Sequence, residues 1–131
     1  MDINKIKLDY NVGKNIEYEA DRRLINIIFN NLLENAILYQ SNHRHREGEV
    51  AVNVSNGQST IKIDISDNGI GISDAVISEI FDLFSIGTDK TKGYGLGLYI
   101  VKKAVEKLNG DISVESKEHE FTQFHLTLPM V

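Results

Sequence analysis

The chain has 131 residues, 41% of them hydrophobic, which is enough for one domain with its own core. A formal net charge of −5 and a pI near 5.3 argue against the broad basic face that nucleic acid or an anionic membrane requires. There is no cysteine, so disulfide and thiolate chemistry are excluded, and no apolar run approaches the roughly 20 residues that span a bilayer.

In chain order, Ile6, Leu8, Tyr10 and Val12 alternate as in a strand, "GKN" turns the chain, and Asp21 is placed to cap a helix. That helix, Arg22 to Tyr39, spaces Leu24, Ile27, Ile28, Leu32, Ala36 and Ile37 along one face. "QSNHRHREGE", residues 40 to 49, has no periodicity and reads as a solvated loop, with His43 and His45 at the surface. Val50, Val52 and Val54, the turn "NGQS", and Ile61 to Ile65 form an antiparallel hairpin pattern. Residues 74 to 84, with Val76, Ile77, Ile80 and Phe81, predict a short helix before the polar loop "SIGTDKTKGYG", which reads as long and mobile. From Leu96, the positions Ile100, Val101, Ala104, Val105 and Leu108 make a second long helical stripe, with Asn109-Gly110 as its C-cap. Ile112 and Val114, then Phe124, Leu126 and Leu128, alternate as two closing strands. The expected fold is a two-layer α/β (α+β) sandwich: a mixed, mostly antiparallel sheet of about five strands with about three helices packed on one face.

Three features point to chemistry. The hairpin's second strand runs straight into "SDNGIGI", residues 66 to 72, setting Asp67 at a strand end beside Gly69 and Gly71. About twenty-five residues on, "GYGLGL" places Gly93, Gly95 and Gly97 at the mouth of a strong amphipathic helix. Glycine lets backbone approach a ligand closely, and a helix start offers free N–H groups and a positive dipole end to phosphate oxygens. Asn31 and Asn35 lie four residues apart on one helix face that is otherwise largely apolar. Buried mid-helix asparagines need partners; their neutral oxygens suit a Mg²⁺ that also holds phosphates.

The series "NLLENA" (31 to 36), "DNGIGI" (67 to 72), "IFDLF" (80 to 84), "GYGLGL" (93 to 98) and "TQFHLTLP" (122 to 129) resembles the N, G1, F and G2 boxes and final strand of histidine-kinase catalytic domains. These are the ATP-binding modules of the GHKL superfamily, and the resemblance covers nearly the whole chain. It implies a Bergerat fold over residues 1–131, a single ATP-binding catalytic domain separated from the dimerisation and histidine phosphotransfer domain of the same kinase. The implied ligands are ATP and Mg²⁺, and a response regulator is served indirectly. No nucleic acid and no direct membrane contact are expected, and the implied location is cytoplasmic.

Residue by residue, the resemblance gives Asp67 the adenine amino group, with Gly69, Gly71 and Ile72 as backbone around the base. Tyr39 matches an aromatic against the base, and Thr122 a threonine supporting Asp67. Asn31 and Asn35 match the Mg²⁺ and phosphate ligands. Phe81 and Phe84 match the F box; Gly93, Gly95, Leu96, Gly97 and Leu98 form the second glycine box. The lid would be Ser85 to Lys92, with Lys90 and Lys92 as cations for the β- and γ-phosphates.

The chain also departs from the family pattern. Leu38 stands where many such kinases have lysine, and Ser85, Ile86 and Gly87 where many have arginine. Tyr94 and Phe121 replace a usual threonine and glycine. In the superfamily's hydrolases a glutamate occupies the place of Asn31; asparagine is no general base, which favours transfer to a protein histidine. Glu34 points about 100° away from Asn35 and reads as solvated. Two alternatives stay open: a degenerate nucleotide-binding or docking module, and an anti-sigma-type serine kinase.

Overall fold

The protein, seen in a computed structural model, is described over residues 6–14, 16, 18–38, 47–82 and 95–130, with backbone alone at 95 and 96. Its elements are β1 (Ile6–Val12), α1 (Arg22–Leu38), β2 (Gly48–Asn56), β3 (Thr60–Asp67), α2 (Gly95–Lys107), β4 (Asp111–Lys117) and β5 (Phe121–Pro129). The strands form one five-stranded sheet in the order β1-β2-β3-β5-β4. β1 and β2 run parallel across the α1 connection, and all other neighbours are antiparallel.

Local chemistry explains the element ends. The Asp21 carboxylate accepts the Arg23 N–H at 2.9 Å, satisfying a donor that the first turn of α1 leaves free. At the other long helix the end is a Schellman motif, with Gly110 N–H on the Val105 carbonyl at 3.0 Å and Asn109 N–H on that of Glu106 at 2.9 Å. The left-handed residue is Asn109 (φ 60°), while Gly110 is needed for space, because a Cβ there would lie 2.6 Å from the Thr127 carbonyl oxygen.

Both helices cover the same sheet face. Ile28 and Leu32 of α1 and Leu98, Val101 and Val105 of α2 are buried against Ile61, Ile63, Ile65, Phe124, Leu126 and Leu128 of β3 and β5. At about 25 cal/mol per Å² of apolar surface removed from water, this layer is the main source of stability.

The expected helix over residues 74–84 is instead a 3-10 turn at Ile77–Glu79 between further tight turns, so two α-helices cover the sheet among the described residues. Glu79 and Asp82 give their N–H groups to the carbonyls three residues back, those of Val76 and Glu79. Three β-branched residues in so short a stretch disfavour helix propagation. Val76 and Ile80 reach the core all the same.

β1 forms where its alternation predicts, but its apolar side is not covered. Leu8, Tyr10 and Val12 pair with Val50, Val52 and Val54 and so share the helix-bearing face, yet they are 54%, 75% and 56% exposed. The helix layer stops short of this edge strand.

Candidate functional site

The sheet register draws four residues into a row at one end of the molecule: Val50, Asp67, Thr122 and Ser116 are successive cross-strand partners on β2, β3, β5 and β4. Directly opposed side chains on one face lie about 4.5–5.5 Å apart at Cβ, so Asp67 and Thr122 are immediate neighbours. Asp67 Oδ1 accepts the Gly69 N–H at 2.8 Å. Burial nevertheless pushes its carboxyl up to about 7, against the opposing pull of that Gly69 N–H. This is a half-buried acid whose charge is disfavoured, and such a group is a common mark of a ligand site.

The loop after Asp67 is fixed from both sides. The Asn68 side chain accepts the Glu49 N–H at 2.8 Å and donates to the Glu47 carbonyl at 3.0 Å, tying the loop to the start of β2. On the other side the His119 N–H reaches the Ile70 carbonyl at 2.6 Å, and the Ile72 N–H reaches Ser116 Oγ at 2.7 Å. Gly71, at φ +69°, lies so close to the Lys117 carbonyl that any Cβ would collide with it. These contacts fix the loop that follows Asp67, whose carboxylate itself is held by the Gly69 N–H.

On α1, Asn31 Nδ2 donates to the Ile27 carbonyl at 2.7 Å, which turns Oδ1 toward α2, where a Cβ on Gly97 would come within 3.1 Å of it. One turn further on the same face, Asn35 Nδ2 is buried with no hydrogen-bond partner. A buried donor left unpaired costs about 1–3 kcal/mol, and an acceptor such as a phosphate oxygen would satisfy it. The first turn of α2 carries no acidic side chain, so its positive dipole end is not neutralised from within the helix. An unmade donor, free amide oxygens and a bare helix start fit an anionic ligand with a hard cation.

The structure brings Asp67, Gly69 and Thr122 together at one end of the sheet, with Gly71 packed against β4, and sets Asn31 against Gly97 near the start of α2, where the backbone of Gly95 and Leu96 begins that helix; Asn35 lies one turn further along α1. Ile72 and Leu98 are buried in the core, so their side chains serve packing and only their backbone borders the site. Tyr39, Phe84, Lys90, Lys92 and Gly93 lie outside the described residues. Phe81 packs edge-to-face on Phe124, 6.2 Å between centroids, as a core aromatic does. Reading the sequence missed Asn68, although it sits inside the quoted glycine motif, and Ser116, for which no linear signal exists.

A profile of the histidine kinase-, DNA gyrase B-, and HSP90-like ATPases matches residues 20–131. The chain belongs to this ATPase family. Membership implies that the domain binds a nucleotide, and the two-layer arrangement is the family's. Among relatives of this ATPase domain, the autoinducer 2 sensor kinase/phosphatase LuxQ of Vibrio parahaemolyticus is 33% identical over 96% of the chain. The adaptive-response sensory kinase SasA of Synechocystis is 33% identical over 95% of it. The chain spans 15% and 33% of those two proteins respectively. The catalytic domain of the histidine kinase ThkA superposes with a TM-score of 0.79 at 26% identity, covering 96% of this chain and 80% of that one. The mycobacterial sensor histidine kinase MprB shares the fold, with a TM-score of 0.79 at 24% identity over 98% of this chain and 86% of its own.

Proposed function

We propose that the chain is the catalytic domain of a sensor histidine kinase, binding Mg-ATP and presenting the γ-phosphate to a histidine on a separate dimerisation domain of the same kinase. The observation that carries this reading is Asp67: a half-buried carboxyl at a strand end, its charge disfavoured by burial, with the Gly69 N–H on it. Such a group suits a neutral base with an N–H donor, as the 6-amino group of adenine supplies. Gly69 presents only backbone beside the carboxyl, Gly71 lets the loop lie against β4, and Thr122 flanks Asp67 from the next strand.

At the phosphate end, Asn35 Nδ2 would donate to a phosphate oxygen, and the side-chain oxygens of Asn31 and Asn35 would hold Mg²⁺. The cation, when bound, neutralises charge on the β- and γ-phosphates. The α2 amides at Gly95 and Gly97 add dipole stabilisation at the same end. Tyr39, Phe84, Lys90, Lys92 and Gly93 take the base-stacking, lid and phosphate roles that the family resemblance gives them. Asn31 cannot take a proton from water, so the site favours positioning over hydrolysis. In this reading residues 1–131 are one domain of a longer kinase, working in the cytoplasm and passing phosphate onward to a response regulator. Among the described residues no helix is long and apolar enough to cross a membrane.

The test is transfer from labelled ATP to the histidine-bearing domain of the same kinase. Acid-labile phosphate on that partner, absent with Asp67→Asn, is the expected result. Acid-stable phosphate would point to serine chemistry and contradict the reading. A degenerate docking module is the second reading, favoured by Leu38, which stands 62% exposed on the last turn of α1 where the family resemblance asks for a lysine.

A further inference from the structure

Ser116 sits on β4 beyond the residues that the family motifs single out, and its hydroxyl is the hub of three short contacts. It accepts the Ile72 N–H at 2.7 Å, donates to the Phe121 carbonyl at 2.6 Å and lies 3.0 Å from Thr122 Oγ1. A serine hydroxyl has one hydrogen and two lone pairs. With its hydrogen on the Phe121 carbonyl, Ser116 must accept in the third contact, so the Thr122 hydroxyl is the donor. The hydrogen of Thr122 is thereby committed away from Asp67, and what Thr122 offers its neighbour's side is lone pairs.

We propose that Ser116 is a positioning and specificity-determining residue for the base: it fixes Thr122 as an acceptor beside Asp67 and clamps the Gly69–Ile72 loop against β4. Where Asp67 is ionised, it and Thr122 both accept, and this favours a 6-amino purine, which brings N–H donors, over a 6-oxo purine, which brings an acceptor at that position. Two further contacts join the same loop to the same hairpin, the His119 N–H on the Ile70 carbonyl at 2.6 Å and the close approach at Gly71. The inference rests on the reading of the cleft as an adenine-nucleotide site and names the residue that tunes it.

The experiment compares adenosine and inosine diphosphate binding by the wild-type domain, Ser116→Ala and Ser116→Thr, with hydrogen exchange of the Ile72 amide in the wild type. The wild type should prefer the adenine nucleotide. Ser116→Ala should weaken that nucleotide by about tenfold, the loss expected for one or two hydrogen bonds, and narrow the adenine-to-inosine ratio. Ser116→Thr, which keeps the hydroxyl, should restore both. An unchanged ratio in Ser116→Ala, or equal weakening of both nucleotides without rescue by threonine, would overturn the proposal. Slow exchange at Ile72 is expected; exchange as fast as an exposed loop amide would overturn it even if Ser116→Ala failed to fold. A folded wild type that binds neither nucleotide would sink the reading of the cleft itself, whereas a wild type that binds beside an indifferent Ser116→Ala would sink only the role of Ser116.

Discussion

Asp67 illustrates how a single side chain links stability to function. Its carboxyl titrates at about 7 against an ordinary 3.8 because burial disfavours the charge. Between those values the folded domain keeps a proton that the unfolded chain releases, so this group's contribution to stability falls as pH rises from about 4 to about 7 and is level above that. Asp67→Asn keeps an acceptor for the Gly69 N–H and removes the charge. Thermal unfolding should therefore show the variant more stable than the wild type at pH 8, by about 4 °C, roughly the effect of 1 kcal/mol at this size. At pH 4 the difference should nearly vanish; a difference independent of pH would contradict the assignment. Gly71 makes a second residue-scale prediction. At φ +69° and hard against the Lys117 carbonyl, Gly71→Ala should lower stability by about 1–3 kcal/mol or more in urea unfolding, through strain and collision together. Asp67 and its glycines were legible in the sequence because alternation ended at an acid followed by residues without side chains. Ser116 was not, since its contacts depend on β5 lying between β3 and β4, and no linear pattern encodes that register.

The elements divide into those whose pattern decides burial and those whose position does. α1 and α2 follow most of their stripes, and their buried faces meet the inner face of the sheet, but Ile37 and Ile100, expected on those stripes, are 44% and 36% exposed. Leu32, 1% exposed between helix and sheet, should cost about 3 kcal/mol when cut to alanine, read as a lowered denaturation midpoint. β1 carries an equally regular apolar alternation but lies at the sheet edge beyond the helix layer. Leu8→Thr should therefore change stability by less than about 0.5 kcal/mol, although its hydropathy pattern resembles that of a core strand. Period identifies an element's type; coverage by the next layer depends on tertiary order. The same distinction explains residues 74–82, where apolar spacing marked the correct inward-facing positions, Val76 and Ile80, while local β-branching made the backbone a series of tight turns rather than a helix.

At the scale of the whole molecule, the two layers place the row of Asp67 and Thr122 on the sheet face that α1 and α2 cover. The fold class was legible because strands and helices alternate in an order that few architectures satisfy, and the family motifs fell on the elements that the alternation had already defined. Candidate site residues were legible wherever glycine or a short polar side chain stood out against its element's pattern, as at Gly71, Gly97, Asn31 and Asn35. The central claim is that the cleft holds an adenine nucleotide through Asp67, and calorimetric titration tests it most directly. The folded domain would be titrated with ADP and a non-hydrolysable ATP analogue, with Mg²⁺ and with chelator, beside Asp67→Asn. The account predicts binding of both nucleotides, weaker binding of the triphosphate analogue when Mg²⁺ is removed, and at least about a tenfold loss in Asp67→Asn, the worth of one charge-assisted hydrogen bond. Absence of binding by the folded wild-type domain, or equal binding by Asp67→Asn, would contradict it.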